Sequence, residues 1–334
     1  MPEPEILVGD ARALPLADES VDLIVTSPPY FGLRDYGTPG QLGAEPTPAE
    51  FIAALIECTA EMVRVLKPSG SIFVNLGDKY SGYNNGSGKG RSLTGVRGEA
   101  RMRDRAGDPH SYGVPAKSLM MLPERYRIAA VDELSLIARA VIVWSKPNGL
   151  PESVTDRVRR SHEDWVHLTK APRYFASVDE IREPHAGEFL ASGVRNPRHR
   201  YADGKMPSHS AGLLGPSSPE RGDGGTLVGA ARHPLGKLPG SVWTIPTQPL
   251  RVPPELGIDH FAAFPMEWPR RIIQGWCPEG GTVVDPFGGT GTTAIVACAL
   301  GRRGISIDLN PDYKRLAEWR AQDPKQRAKA GRAA

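Results

Sequence analysis

The sequence predicts an α/β protein built on a doubly wound, mostly parallel sheet, and three observations carry that reading. Short apolar runs rich in β-branched residues, Val21-Asp22-Leu23-Ile24-Val25 among them, have the pattern of strands buried on both faces. Amphipathic helical stretches lie between them, and strand, helix and strand at this spacing make parallel βαβ units. Two strands end in unusual corners, one in Thr26-Ser27-Pro28-Pro29-Tyr30 and one in Asp285-Pro286-Phe287-Gly288-Gly289-Thr290-Gly291-Thr292-Thr293. Open sheets of this kind bind ligands at the carboxyl ends of their strands.

In chain order, Glu5-Ile6-Leu7-Val8 is a short strand that stops at Gly9-Asp10. Asp10 is either an acid facing a ligand at the sheet edge or a turn residue bonding its own backbone. After a connection over 14–20, the next strand runs into Ser27. Two prolines remove two backbone donors and end the ladder there. They leave a rigid corner with a hydroxyl, outward carbonyls and an aromatic ring. That set suits gripping the exocyclic NH2 of a planar base; the plainer reading makes Tyr30 a cap on the core. Beyond a glycine-punctuated aromatic loop at 31–37, Thr47 as N-cap, Pro48 at the first helical position and Glu50 open a helix. Its apolar face is Phe51, Leu55, Cys58, Met62 and Val65. Lys67-Pro68-Ser69-Gly70 is expected to end it, with a buried strand at 71–76 followed by Gly77-Asp78.

Residues 79–110 carry seven Lys/Arg against three acids among Gly, Ser and Asn, which reads as a basic loop. Helical periodicity returns over 117–131. Residues 138–144 form a strand that runs into a proline-bounded polar loop, and 164–168 form its hairpin partner. Over 182–240 apolar periodicity is lost and eight basic residues face five acids, a stretch that a compact core does not need. It is either a linker or an inserted recognition module. Packed structure resumes at Val242-Trp243-Thr244-Ile245, and 260–270 leads into a helix ending near Trp276-Cys277.

The glycine-rich segment after Asp285 has the mechanics of a nucleotide-binding βαβ unit. Glycines let backbone approach a ligand, a helix amino end adds positive potential, and the acid closing the next strand, Asp308, can take ribose hydroxyls. A carboxylate at 285 is poorly placed beside a dinucleotide pyrophosphate, and the glycine spacing is not GxGxxG. It suits a ligand with a cationic ammonium group, such as the methionine part of S-adenosylmethionine. A P-loop is excluded because no Gly-Lys-Ser/Thr is present.

Taken together, these motifs resemble nearly the full length of a β-class DNA amino-methyltransferase, whose (Ser/Asn/Asp)-Pro-Pro-(Tyr/Phe/Trp) motif comes first, its recognition region second and its cofactor motif last. The resemblance implies a circularly permuted, Rossmann-like methyltransferase sheet. It divides the chain into a catalytic half (1–181), a target-recognition region (182–240), a cofactor-binding half (241–320) and a basic tail (321–334) expected to be disordered. It implies S-adenosylmethionine as cofactor, with Asp10 and Ala11 near the adenine and Asp308, Leu309 and Asn310 near the ribose. His260, Phe264 and Pro265 fall on a further contact motif, and Asp285, Pro286, Phe287, Gly289, Gly291, Thr292 and Thr293 lie around the methionine part. In the catalytic corner of Ser27, Pro28, Pro29 and Tyr30, the Ser27 side chain and the Pro28 carbonyl would accept the amine's hydrogens. Tyr30 would stack on a base flipped from the duplex. Serine at 27 leans toward N4 of cytosine, with N6 of adenine the alternative. Candidate contacts to double-stranded DNA are Arg101, Arg103, Arg105, Lys146, Asn148, Arg157, Arg159, Arg160, Arg195, Arg198 and Arg200. A homodimer and a cognate restriction endonuclease are the other partners such an enzyme admits.

Composition narrows the chemistry. The 334 residues are 40% hydrophobic and 24% charged, with Lys+Arg 41 against Asp+Glu 38, so any DNA-binding face must come from local clustering. Three scattered cysteines give neither a disulfide framework nor a zinc site. The HxE…PCxxC set of zinc deaminases is missing, and no Pro-Cys pair offers a nucleophile. No apolar run approaches a membrane span, and the setting expected is cytoplasmic. A nicotinamide-dependent oxidoreductase and a DNA-binding protein with a vestigial fold are the readings from other classes.

Overall fold

A computed structural model describes residues 2–33, 37–81, 113–149, 151–185, 233–258 and 263–331. The chain divides into two units, Met1–Glu180 with Gly240–Ala334, and Ile181–Pro239. In the second unit Glu183 and Lys237 form an antiparallel bridge through two 2.9 Å backbone hydrogen bonds and a 3.3 Å ion pair. Arg101, Arg103 and Arg105 of the basic loop, Arg195, Arg198 and Arg200 of the recognition stretch, and His260 lie outside the described residues.

The first unit is organised by one eight-stranded sheet. Its elements are β1 (Glu5–Val8), β2 (Val21–Thr26), α1 (Pro48–Val65), β3 (Leu66–Leu76), α2 (Leu122–Asp132), β4 (Ile137–Ser145), β5 (His162–Thr169), β6 (Val242–Thr244), α3 (Glu267–Trp276), β7 (Thr282–Asp285), α4 (Thr292–Ala299), β8 (Arg303–Asp308), α5 (Pro311–Gln322) and α6 (Pro324–Ala330). The strand order is β1-β8-β7-β2-β3-β5-β4-β6. Among the described residues, β3–β5 and β5–β4 pair antiparallel and the other five pairings are parallel. β4 and β5 thus form the expected hairpin, and β1 lies beside β8, in register from Glu5↔Ile305 to Val8↔Asp308.

All six residues of β2 are buried, as its apolar run requires of a central strand. Its neighbours are β7 and β3. The crossover through α4 leaves β7 toward β8, and the one through α1 leaves β2 toward β3. The sheet therefore reverses its winding between β7 and β2, which is where a doubly wound sheet opens its crevice. Both unusual corners of the sequence end there.

The capping residues of α1 behave as their chemistry demands. Thr47 Oγ1 accepts from Glu50 N at 3.2 Å and donates to the Glu50 carboxylate at 2.8 Å, and Pro48 occupies the first turn. Elsewhere the boundaries move. β3 begins at Leu66, which pairs with Val21, and Lys67–Gly70 bulge out before Ser71 pairs with Leu23. Lys67 Nζ closes that bulge on both Asp22 carboxylate oxygens at 2.8 Å. α2 starts at Leu122 rather than 117, because Met121 is left-handed and the helix amino end is capped from afar. The Asp78 carboxylate accepts from Met121 N and Leu122 N, each at 3.1 Å.

The basic tail is not disordered over 324–330, which corrects the expectation made from its charge. Asp323 caps α6 by accepting from Gln326 N at 2.8 Å, with Pro324 next in sequence, and Ala330 is fully buried. The buried Arg270 guanidinium donates to the Ala330 carbonyl at 2.7 Å, satisfying an orphan acceptor at the helix end.

Between the sheet and α3, His167 stacks on Phe73 (4.1 Å between centroids, 11° between planes) and its Nε2 meets Ser71 Oγ at 3.1 Å. Burial, aided by Arg139, pushes the imidazole down to about 3. A base depressed in the fold leaves the unfolded chain binding the extra proton, so stability falls as pH drops from about 6.5 toward 3, by about 1.4 kcal/mol per pH unit from this group. His167→Phe keeps the stacked ring and should flatten that acid slope in urea denaturation at stepped pH. An unchanged slope would assign the acid sensitivity elsewhere.

Candidate active site

Because β1, β8, β7, β2 and β3 are parallel, their carboxyl ends share one edge of the sheet. A cavity of about 800 Å³ opens there, within the usual range for small-molecule sites. Each strand end contributes to its wall: Gly9–Arg12 from β1, Asp308–Asn310 from β8, residues 286–290 from β7, Ser27–Tyr30 from β2, and Asn75, Gly77 and Asp78 from β3. The β4–β5 hairpin closes one side with Lys146, Asn148 and Arg160 from its loop and Glu163 from β5, and Phe264 lies at the entrance to α3.

On the β7 side, Asp308 is held by Gly289 N at 2.8 Å and Asn310 N at 2.9 Å. Burial raises its pKa above the ordinary carboxylate range despite those bonds. Each oxygen keeps a lone pair, so the group can still accept from a vicinal diol. Gly291 caps α4 in the left-handed region (φ +71°), where a Cβ would also lie 3.0 Å from Ala317 Cβ. Arg320, buried on α5, secures the start of that helix by donating to Thr290 Oγ1 at 2.7 Å and Thr292 Oγ1 at 2.6 Å. On the other flank Asp10 takes four hydrogen bonds from Arg12, which hold its carboxyl below the usual range. The same guanidinium reaches Gly40 O at 3.0 Å.

Asp285 is not part of the wall. Its carboxylate is 1% exposed and turns inward, accepting from Thr26 Oγ1 at 2.6 Å, Thr293 Oγ1 at 2.9 Å and Phe287 N at 3.1 Å. Burial outweighs these bonds and pushes it up to about 6. Its place is that of a hub joining β2, β7 and α4 beneath the glycine-rich turn. Thr293, Gly291 and Pro265 also lie behind the wall, whereas Asp10, Ala11, Phe264, Pro286, Phe287, Gly289, Thr292, Asp308, Leu309 and Asn310 form it.

In the Ser-Pro-Pro-Tyr corner, Ser27 Oγ donates to Asn75 Oδ1 at 3.3 Å. The Tyr30 hydroxyl lies 2.8 Å from the same Asn75 oxygen and 2.9 Å from Glu163 Oε2. Asn75 is itself fixed by donating to Asp164 O at 3.2 Å. The Tyr30 ring passes so close to Gly77 that a Cβ there would lie 2.7 Å from Cε2. Burial first, then the negative charge of Glu163, hold the Tyr30 phenol well above its ordinary value. Lys146 pairs with Glu163 and sits 4.1 Å from the centre of the Trp144 ring.

Several residues read as DNA contacts are engaged inside the protein. Asn148 and Thr247 exchange two 2.9 Å hydrogen bonds. Arg157 pairs with Glu152 at 2.7 Å and lies 3.8 Å over the Tyr80 ring, and Arg159 donates to Gly149 O at 2.7 Å. Arg160 lines the cavity. Sequence reasoning missed Arg12, Asn75 and Glu163 as site residues. Asn75 carried a signal, a lone polar side chain at the end of a buried apolar strand; Glu163 carried none.

A model of the N6/N4 methyltransferase family, described as DNA methylase, matches residues 21–319. The chain is 35% identical over 331 residues to the type II methyltransferase M.XycI of Xanthomonas campestris pv. cyanopsidis, covering 96% of this chain and 90% of that one. Among solved structures it is similar to the PvuII DNA methyltransferase (cytosine-N4-specific), with a TM-score of 0.60 at 20% identity over 99% of this chain and 93% of that one. It is also similar to a putative DNA modification methylase of Thermus thermophilus, TTHA0409, solved with S-adenosyl-L-methionine, with a TM-score of 0.55 at 21% identity over 95% and 93%. With its two motifs on one sheet edge and a family match from β2 into α5, the chain belongs to the N6/N4 family of DNA methyltransferases.

Proposed function

We propose that the protein transfers a methyl group from S-adenosylmethionine to N4 of a cytosine flipped out of duplex DNA. The observation that carries this reading is the shared wall: Ser27 and Tyr30 face the same cavity as Asp10, Asp308 and the turn after β7. Asp308 and Asn310 would take the ribose, Asp10 and Ala11 would border the adenine, and the turn at 286–289 would border the methionine part. When bound, the cofactor supplies an electrophilic methyl carbon on a sulfonium. Membership of the DNA methyltransferase family counts against a nicotinamide cofactor.

An exocyclic amine is a weak nucleophile because its lone pair is delocalised into the ring. Accepting its hydrogens at Ser27 Oγ and the Pro28 carbonyl turns that lone pair out of conjugation and toward the cavity, so positioning supplies most of the acceleration. The Tyr30 ring, held against Gly77 and pinned at its hydroxyl, is a rigid plate for an extrahelical base. Serine at 27 and the cytosine-N4 specificity of the PvuII relative favour cytosine. The recognition stretch at 182–240 and the basic loop at 79–110 are the parts proposed to hold DNA, the first by base edges and the second by phosphates. A cognate endonuclease partner fits the type II relatives.

Incubating the protein with duplex DNA and methyl-tritiated S-adenosylmethionine, then separating the nucleosides, should place the label in N4-methyldeoxycytidine. Label in N6-methyldeoxyadenosine would overturn the base assignment, and no transfer to any duplex would overturn the activity.

A further inference from the structure

The Tyr30 hydroxyl has one hydrogen and faces two acceptors, Asn75 Oδ1 at 2.8 Å and Glu163 Oε2 at 2.9 Å. Ser27 Oγ and the Tyr30 hydroxyl converge on the same Asn75 oxygen, at 3.3 Å and 2.8 Å. Of the groups in this cluster, an amide cannot take a proton at neutral pH, whereas a carboxylate can. Lys146 is paired with Glu163; Arg160 precedes β5, His162 opens it, and Asp164 follows Glu163 on the strand. Glu163 and Lys146 are both largely shielded from solvent, with side chains 16% and 19% exposed. A shielded charge pair in the wall of a base-handling site asks for a use beyond holding a loop.

We propose that Glu163 receives the proton which the target amine must lose, delivered through Ser27 and Tyr30. The inference rests on the methyltransfer reading above and deepens it. The amine nitrogen forms its bond to the methyl carbon as the carbon–sulfur bond breaks, with that electron pair remaining on sulfur. The nitrogen is then one proton over. That proton passes to Ser27 Oγ, the Ser27 hydroxyl proton passes to the Tyr30 oxygen, and the Tyr30 proton passes to Glu163 Oε2. Serine and tyrosine end neutral, the amine ends neutral and methylated, and the carboxylate ends as the acid. The high pKa of the buried phenol suits this passage, since Tyr30 stays protonated and always has a hydrogen to hand on. Glu163 touches no reacting atom and is a positioning and proton-holding residue, distinct from the corner that grips the base.

The test compares wild type with Glu163→Gln, Glu163→Asp and Tyr30→Phe, which keeps the stacking ring. Single-turnover methyl transfer should fall on the order of 10²-fold in Glu163→Gln, with S-adenosylmethionine and duplex affinities within about threefold of wild type. Glu163→Asp should recover part of the rate. Tyr30→Phe should lose as much as Glu163→Gln, and the double variant should lose no more than either, as expected for one shared path. Without cofactor or DNA, ultraviolet titration should show the Tyr30 phenol ionising at lower pH in Glu163→Gln, because a neighbouring negative charge is gone. An unchanged rate in Glu163→Gln, fully additive losses, or loss of ligand affinity matching the loss of rate would overturn the proposal. A wild-type protein that methylates no duplex would instead sink the functional reading it stands on.

Discussion

Asp285→Ala should destabilise the protein by on the order of 2–5 kcal/mol at neutral pH, the scale for stranding two or three buried donors. The substitution strands the Thr26 and Thr293 hydroxyls and the Phe287 amide, all of which now end on one carboxylate. Thr293 can turn fully to Val25 O, already 3.2 Å away, so the loss is less than three orphaned donors would give. Asp285→Asn keeps the size and one acceptor oxygen and should lose far less. The pair of variants separates two roles. A hub beneath the turn predicts that Asn retains S-adenosylmethionine affinity within a few-fold; an ionic partner of the ligand's ammonium predicts that Asn loses it as Ala does. Equilibrium titration beside urea denaturation reads both. The sign of the pH dependence follows from the raised pKa. Stability from this group is complete below about 3.8 and is lost as pH rises through about 6, opposite in direction to His167, and Asp285→Asn should abolish that component.

Ser27→Ala is expected to lower the single-turnover rate by about 10²-fold, on the scale of removing one preorganised hydrogen-bonding group from an active site. DNA and cofactor affinity should barely change, because the acceptor matters most when the amine turns. Tyr30→Ala should add to the loss of its hydroxyl the loss of the stacking plate, worth about 1–3 kcal/mol per base. Since extruding a paired base is costly, a mismatch at the target should partly rescue Tyr30→Ala and hardly rescue Ser27→Ala. Equal rescue of both would mean that the two residues do not divide the work in this way.

What could be read from the chain was local or periodic. The Thr47 cap, the amphipathic face of α1 and the strand that ends at Asp308 depend on neighbours within a turn or two, and they appear where expected. What could not be read was how side chains pair across the sheet. Asp285 looked like a ligand-facing acid because its sequence neighbours are a glycine-rich turn; Thr26, 259 residues away, is what turns it inward. Glu163 meets Tyr30 across 133 residues and Asp78 caps a helix 44 residues on, pairings set by strand order rather than by any motif. The tail misled for a related reason: its basic composition suggested solvent, whereas Arg270 supplies the acceptor-satisfying cap that seats it.

The sheet's order also sets a timetable for the nascent chain. β2 can find β3 soon after synthesis, but its other edge waits for β7 and β1 waits for β8, with Leu23 meeting Val283 and Glu5 meeting Ile305. At 5–20 residues per second, the 260 residues from Leu23 to Val283 take about 13–52 s to emerge. Throughout that interval a six-residue strand destined for complete burial has one edge unpaired. The ribosome-bound chain therefore carries its longest-exposed strand edge before β7 emerges, and slowing translation ahead of β7 should lower the soluble yield more than slowing it after β8.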